Sequence, residues 1–253
     1  MTPSRMLDAI VFRVIDVEGT DRDPLLSSPC EVAWRDLSAK GEVLTQFETL
    51  LNPGVPIPPS SSAVHHIVDE DVAGKPTLAH VAGIIGEAEI FVAHGADYDR
   101  TVLGLQSKTW LCTHRLAKHL WPEIGNHSNQ EIRYTLKLKP DIPKDTPHHR
   151  AAADVAVTAS ILAAALPLIP AKWPEARTID DLVKVTNAPA LLLRIPFKSG
   201  HGQLFERAET SHLEWIVRTF AGGPDCVYTA QHWLDQRYGN ASFANPYDTD
   251  VED

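Results

Sequence analysis

Hydrophobic residues in the first half of the chain fall into short runs that are bounded by polar turns. Runs of roughly 4–8 apolar or β-branched residues are typical of strands. The first run, AIVFRVIDV, is interrupted by Arg13 but otherwise has the composition of a central strand. The predicted strands span residues 9–17, 30–37, 43–51 and 90–93.

Longer segments with helical composition follow these runs. The predicted helices span residues 77–87, 97–106, 113–120, 128–137 and 149–166. The last of them is rich in alanine, the residue with the highest helix propensity. The segment NPGVPIPPSSS, residues 52–62, is predicted to be an extended loop, because proline does not fit a helix interior.

This order of elements predicts an α/β or α+β sheet domain over residues 1–170. The segment PLIPAKWPEA that follows carries three prolines within eight residues, so we expect a linker there. A small C-terminal α+β domain is predicted over residues 171–240, and an acidic, disordered tail over residues 241–253.

The composition is that of an ordinary globular protein, with 43% hydrophobic and 22% charged residues. No apolar run reaches the roughly 18 residues of a membrane span, and the N-terminus lacks the pattern of a signal peptide. The three cysteines are scattered, which argues against a disulfide framework and against a cysteine-based zinc site. We therefore expect a cytoplasmic protein with no membrane partner.

The net charge of −10 argues against a general nucleic-acid coat protein, because affinity for phosphate comes mainly from Lys and Arg. The charge is unevenly distributed, however. Residues 100–150 contain nine basic and four acidic residues, a net charge of +5. A local basic surface suits an enzyme that releases a polyanionic polymer between cycles, and a solvated helix face is the alternative.

Two carboxylates stand at the end of the first predicted strand. Asp16 and Glu18 project to the same face, because successive strand side chains alternate. Carboxylate oxygens on one face suit Mg²⁺ or Mn²⁺. Solvated acids at a strand end are the alternative, since the D-x-E pattern is common.

Two further segments carry acids and a histidine at helix starts. In FVAHGADYDRTVL, Asp99 opens a predicted helix, where an acid is also favoured by the helix dipole. In HHRAAADVAVTASIL, His149 and Asp154 converge only if His149 lies on the entering loop and Asp154 points inward from the helix. Considered separately, Asp99 and His149 each have a structural explanation.

The meaning of these acids changes if they meet. Carboxylates about 4 Å apart repel by about 4 kcal/mol per pair at an effective dielectric near 20. A fold keeps such a cluster when cations neutralise it, and two divalent ions suit phosphoryl displacement. A histidine nearby has the pKa range to accept a proton from the attacking water.

The motif order D-x-E, H-x-x-x-x-D and H-R-A-x-x-D resembles the DEDDh 3′–5′ exonucleases over residues 10–166. The resemblance implies an RNase H-like fold with a five-stranded mixed sheet flanked by helices. It implies Asp16, Glu18, Asp99 and Asp154 as metal-binding catalytic residues and His149 as the catalytic general base. It also implies two Mg²⁺ ions, for which Mn²⁺ can substitute.

The same resemblance implies hydrolysis at DNA 3′ ends with release of nucleoside 5′-monophosphates, in DNA repair or turnover. Three residues are candidates for substrate binding: His65, His94 and Arg150. A histidine that packs the loop is the alternative for His65. The family usually has asparagine where this chain has Gly95, which affects the grip on substrate and leaves the catalytic set complete.

Three other functions remain open from the sequence. An RNA 3′–5′ exonuclease of the RNase T or oligoribonuclease type would use the same residues on a different sugar. An inactive nucleic-acid-binding module is suggested by Gly95 and by the acidic net charge. A zinc hydrolase that uses the paired histidines predicts zinc that copurifies with the protein.

Overall fold

The computed structural model describes residues 6–142, 146–147 and 149–239. The chain forms two compact units. The larger unit contains the chain up to Leu120 together with His127–Thr186, and the smaller unit contains Trp121–Asn126 and the chain from Asn187 onward. The predicted acidic tail lies outside the described residues.

The larger unit is built on a mixed five-stranded sheet with the order β3-β2-β1-β4-β5. Strand β1 pairs antiparallel with β2 and parallel with β4, β2 pairs antiparallel with β3, and β4 pairs parallel with β5. The strands are β1 (Val11–Gly19), β2 (Pro29–Ser38), β3 (Val43–Leu50), β4 (Ile90–Ala93) and β5 (Thr109–Cys112). The predicted mixed sheet is confirmed.

Helices flank this sheet and form most of the smaller unit. In the larger unit they are α1 (Pro59–His65), α2 (Asp69–Val72), α3 (Leu78–Gly86), α4 (Asp97–Val102), α5 (Thr113–Leu120), α6 (Asn129–Thr135), α7 (Ala151–Ala165), α8 (Ile169–Lys172) and α9 (Ile179–Asn187). In the smaller unit they are α10 (Thr210–Thr219) and α11 (Pro224–Tyr238). Short 3₁₀ turns occupy Leu7–Ala9, Leu166–Leu168 and Phe205–Arg207.

Two local predictions fail for identifiable reasons. The proline-rich segment is only partly an extended loop, because α1 begins at Pro59, a position where the missing N–H of proline costs nothing. Strand β5 was not predicted from the sequence. It has four residues and is recognisable mainly by its pairing with β4, which sequence periodicity does not show.

Arg13, which interrupts the first apolar run, pairs directly with Asp36 across the β1–β2 ladder. The two side chains form a double hydrogen bond, Nε to Oδ1 and Nη2 to Oδ2, both at 2.8 Å. The remaining guanidinium nitrogen donates to the carbonyl oxygens of Ile84 and Ile85, and the group lies 4.7 Å from the Trp34 ring centroid. Buried charge is tolerated here because the guanidinium is paired with a carboxylate and each of its three nitrogens donates a hydrogen bond.

Helix α7 packs on β1 and β2. Several of its alanines, Ala151, Ala153 and Ala156 among them, are buried. The stretch Ala151–Lys172 is apolar enough and long enough to cross a membrane, and 56% of its most apolar window is buried inside the protein. A core helix passes the same test, so this stretch is weak support for a membrane span.

The boundary between the two units differs from the predicted one near residue 170. The backbone N–H of Leu7 donates to the carbonyl of Arg177, and Met6 forms a bridge with Thr178. Ile169, Ile179 and Leu182 are buried. These contacts attach the proline-containing segment to the larger unit, so the chain divides after Thr186.

The smaller unit has its own hydrophobic core, centred on Phe205, Leu213, Ile216 and Ala230. Within its described residues, β structure is limited to an isolated bridge between Arg194 and Leu204. The regular structure of the predicted α+β extension is therefore helical in the part that the structure describes, with long loops and turns between the helices.

Candidate metal centre

Three carboxylates meet where β1 ends. Asp16 and Glu18 lie on one face of β1, and Asp154 approaches them from the first turn of α7. One oxygen from each carboxylate lies within 4.8 Å of the other two. The set consists only of carboxylate oxygens, which are the ligands that Mg²⁺ and Mn²⁺ prefer. The donor chemistry therefore fits the expected divalent ions.

Asp99, from helix α4, is held against the same strand by a hydrogen bond. It lies in the first turn of α4 and is 5% exposed. Its Oδ1 accepts a hydrogen bond of 3.1 Å from the backbone N–H of Val17, the residue between Asp16 and Glu18. The fourth predicted carboxylate is thus attached to the metal-binding strand, with its second oxygen not engaged by this bond.

Burial raises the pKa values of these acids, and neighbouring carboxylates raise those of Asp16 and Glu18 further. Burial, followed by the charges of Asp99, Glu18 and Asp154, raises the pKa of Asp16 well above its usual value. Burial and the neighbouring carboxylates raise the pKa of Glu18 to about 8. Burial raises the pKa of Asp99 to about 7, against the opposing effect of its backbone hydrogen bonds. A bound cation would relieve this repulsion and release the protons.

His149 lies on the loop that enters α7, as its predicted role requires. The predicted helix over residues 149–166 begins later, at Ala151, with Arg150 as its N-cap residue. His149 is exposed, and its backbone has a φ of 58°, in the left-handed region that non-glycine residues seldom adopt. Its role as general base stays a prediction.

His94 is engaged by the protein itself. Its Nε2 lies 2.9 Å from the carbonyl oxygen of His127, so this nitrogen carries the proton. Its Nδ1 lies 2.9 Å from the hydroxyl oxygen of Thr113. Burial, followed by the neighbouring His114, lowers the pKa of His94 to about 4. The neutral ring has both nitrogens occupied, which favours a structural role over substrate binding.

His65 is also packed, and it is only 2% exposed. Its Nδ1 accepts a hydrogen bond of 3.1 Å from the backbone N–H of Ile67, and its Nε2 lies 3.7 Å from the sulfur of Cys30. Burial lowers its pKa. These contacts favour the loop-packing alternative, although the ring also lines the cavity beside the metal centre.

This cavity has a volume of about 710 Å³ and begins at Glu18. Its walls come from the loop after β1, from α1 and from Tyr98, whose hydroxyl donates to the carbonyl of Asp21 at 2.8 Å. Ligand pockets for small molecules span roughly 300–1,000 Å³. The cavity is therefore large enough for one nucleotide next to the carboxylates.

Arg150, the third predicted substrate-binding residue, is paired with Glu31 on β2. Its Nε lies 3.1 Å from each Glu31 oxygen, and its Nη2 lies 2.6 Å from Oε1. Sequence reasoning missed Glu31, because the register that places it beside Glu18 is not visible in the sequence. A substrate contact by Arg150 stays a prediction.

Gly95 follows β4 with a φ of 94°, a conformation that favours glycine. A Cβ at this position would meet no heavy atom within 4 Å. The departure from the usual asparagine thus agrees with the local backbone, and space remains there for a side chain.

The sequence of this chain is similar to those of known nucleases. The profile of the family RNase_T, described as an exonuclease, matches residues 14–162. Exodeoxyribonuclease 10 of Escherichia coli (strain K12) is 29% identical over 229 residues, which cover 89% of this chain and 99% of that protein. The resemblance to 3′–5′ exonucleases that the motifs indicated is confirmed.

Solved structures give the same result. The structure of exonuclease X in complex with 5′ overhanging duplex DNA is 32% identical, with a TM-score of 0.60 over 70% of this chain and 99% of that chain. A structure of exonuclease I has a TM-score of 0.53 at 15% identity, covering 70% of this chain and 44% of that one, which shows a likeness of fold alone.

Proposed function

The chain belongs to the RNase_T exonuclease family and is a DnaQ-like 3′–5′ exonuclease, and we propose that it acts on DNA with two divalent ions. The main support is that Asp154, from a distant part of the chain, meets Asp16 and Glu18 of β1 within 4.8 Å. The products would be nucleoside 5′-monophosphates.

The residues of the centre divide the chemistry among them. Asp16 and Asp154 would hold the ions most directly, with Glu18 and Asp99 completing the set. Bound Mg²⁺, or Mn²⁺ in its place, would stabilise the charge on the attacking and leaving oxygens of the terminal phosphodiester. His149, exposed at the entrance to α7, would accept the proton of the attacking water.

DNA is the substrate that we propose, because the descriptions of two relatives specify DNA. Exodeoxyribonuclease 10 is named for DNA, and the structure of exonuclease X contains 5′ overhanging duplex DNA. The cavity beside Glu18 would receive the 3′-terminal nucleotide. A role in DNA repair or turnover in the cytoplasm, with the smaller unit helping to hold duplex or a partner, belongs to the same proposal.

The test uses a 5′-labelled DNA oligomer, single-stranded and as a duplex with a 5′ overhang, in Mg²⁺, in Mn²⁺ and in EDTA. We expect a ladder that shortens from the 3′ end and disappears in EDTA. The variant Asp16→Ala should abolish it, whereas Asp180→Ala, which changes an exposed acid on α9, should not. Turnover retained by Asp16→Ala would contradict the assignment of the centre.

Matched RNA and metal analysis separate the alternatives. Laddering of RNA and not of DNA would move the enzyme to the RNA exonucleases. Binding of both polymers without cleavage, in either metal, would support an inactive binding module. Zinc that stays with the purified protein through EDTA dialysis would support a zinc hydrolase.

A further inference from the structure

A fifth carboxylate, Glu31, stands beside the metal centre and has no part in the proposed chemistry. It is directly opposite Glu18 in the antiparallel β1–β2 ladder, and Asp16 is opposite Ala33. Residues that face each other across such a ladder share one side of the sheet, with Cβ atoms about 5 Å apart. Glu31 is 4% exposed, so it adds buried negative charge next to Glu18.

This charge is balanced by the start of α7. Arg150 binds both Glu31 oxygens, and the backbone N–H of Ala151, the first residue of the helix, donates to Oε2 at 2.8 Å. An arginine pair with two-point contact fixes orientation as well as distance. The carboxylate also lies at the positive end of the helix dipole. Glu31 therefore anchors the N-terminus of α7 to β2.

The first turn of α7, which Glu31 anchors, carries Asp154, one of the three clustered carboxylates. Asp154 is four residues after Arg150, about one helical turn further along. A shift of the first turn of α7 would move the Asp154 carboxylate relative to Asp16 and Glu18. Because both Glu31 oxygens are occupied by α7, Glu31 is poorly placed to serve as a metal ligand itself.

We propose that Glu31 and Arg150 form a positioning pair, which places Asp154 for metal binding and cancels the charge that Glu31 brings to the centre. The proposal rests on the function proposed above. It assigns Arg150 to the architecture of the metal centre, where the sequence had suggested contact with substrate.

The pair predicts unequal effects of its two single substitutions on metal affinity. Glu31→Gln leaves the guanidinium without its counter-charge beside Glu18, which weakens cation binding. Arg150→Gln displaces Asp154 as well, but it leaves an extra carboxylate charge that offsets part of the lost affinity, so cation binding weakens less than in Glu31→Gln. Both should lower kcat by about tenfold to a hundredfold, the usual range for residues that orient metal ligands, because Asp154 loses its fixed position.

The experiment measures Mn²⁺ affinity by titration calorimetry in the absence of DNA, and kcat at saturating metal. We expect the Kd for Mn²⁺ to rise in both single variants, and to rise more in Glu31→Gln than in Arg150→Gln. The double variant Glu31→Gln/Arg150→Gln, with a neutral hydrogen-bonding pair, should return Kd and kcat towards the wild type. Arg150→Lys, which keeps the charge, should retain the wild-type Kd more closely than Arg150→Gln.

The Arg13–Asp36 pair of the same ladder is the matched control. Arg13→Gln/Asp36→Asn should lower the melting temperature and leave the Kd for Mn²⁺ unchanged. Wild-type Kd and kcat in both single variants of the Glu31 pair would overturn the proposal, even if their melting temperatures fell. Calorimetry needs no turnover, so this result is distinct from failure of the exonuclease assignment.

Discussion

Strand β1 carries charged side chains near both of its ends, and their charges are balanced differently at the two ends. Near the first end, Arg13 and Asp36 neutralise each other, and two backbone carbonyls and Thr45 complete their hydrogen bonds. Near the other end, Asp16 and Glu18 face Asp154 within 4.8 Å, and burial and mutual repulsion raise the pKa values of both β1 acids.

The difference separates charge that serves the fold from charge that serves a ligand. A buried pair with all its hydrogen bonds made is complete in the protein alone. A cluster of acids that raise one another's pKa values becomes favourable only with protons or cations bound. The Glu31–Arg150 pair shares features of both cases. Its charges neutralise each other, as in the Arg13–Asp36 pair, and Glu31 lies opposite Glu18 of the acidic cluster.

The largest expected effect follows from removing one acid of the cluster. Asp154→Asn keeps the shape of the side chain and removes a charge, so we expect kcat to fall by at least about a thousandfold, or roughly 4 kcal/mol. The metal-free protein should melt no lower than the wild type, because one repulsive charge is gone. Single-turnover kinetics and calorimetric melting measure the two quantities. A variant that melts much lower would show that Asp154 serves the fold.

At the opposite end of β1 the same kind of change should have the reverse outcome. Asp36→Ala leaves Arg13 buried without its partner, which should lower the free energy of unfolding by about 3–5 kcal/mol. Urea denaturation measures this loss. At a temperature where the variant is still folded, kcat should equal that of the wild type. A large loss of kcat with little loss of stability would remove the distinction between the ends.

The sequence predicted one of these ends better than the other. Asp16 and Glu18 were identified because strand alternation places them on one face. Their meeting with Asp154 was inferred from the resemblance to the DEDDh exonucleases, since spacing alone allows many arrangements. Arg13 looked like an interruption of an apolar strand, because its partner Asp36 depends on pairing between strands.

Register explains the other omissions too. Glu31 became part of the centre only when the β1–β2 ladder placed it opposite Glu18. Strand β5 is defined by four pairings with β4. Local propensity carries no information about either, so the sequence predicted the acids of the centre and Arg150 but missed Glu31, the residue that pairs with Arg150.

The acidic end of β1 also predicts how stability depends on pH. The pKa of Glu18 is raised from 4.5 to about 8, and that of Asp99 from 3.8 to about 7. Between the ordinary and the raised pKa of each acid, the folded, metal-free protein binds more protons than the unfolded chain. Its free energy of unfolding therefore falls as the pH rises through this range. His94, whose pKa is lowered from 6.5 to about 4, acts oppositely below pH 6.5.

Between pH 6.5 and 8.5, the pH dependence of the free energy of unfolding therefore reports on these acids and not on His94. Urea denaturation in EDTA should show stability decreasing across this range, and Glu18→Gln should reduce the slope. Mg²⁺ should stabilise the protein more at pH 8.5 than at pH 6.5, because it replaces protons on the same oxygens. Stability that rises with pH in EDTA would contradict the raised pKa values.

The smallest expected effect concerns His94, which directly follows β4 and whose ring nitrogens, like the guanidinium of Arg13, are hydrogen-bonded within the protein. His94→Gln keeps a donor for the carbonyl of His127 and loses the bond to Thr113, so we expect a loss of about 1 kcal/mol in the free energy of unfolding. The KM for DNA should stay within about twofold of the wild type, since a difference of that size is under 0.5 kcal/mol. A tenfold rise in KM with unchanged stability would restore the substrate-binding role that the sequence suggested. Retained KM with reduced stability would place His94 with Arg13 among the residues whose polar groups serve the fold, and would leave the cavity beside Glu18 as the part of this surface that meets the nucleotide.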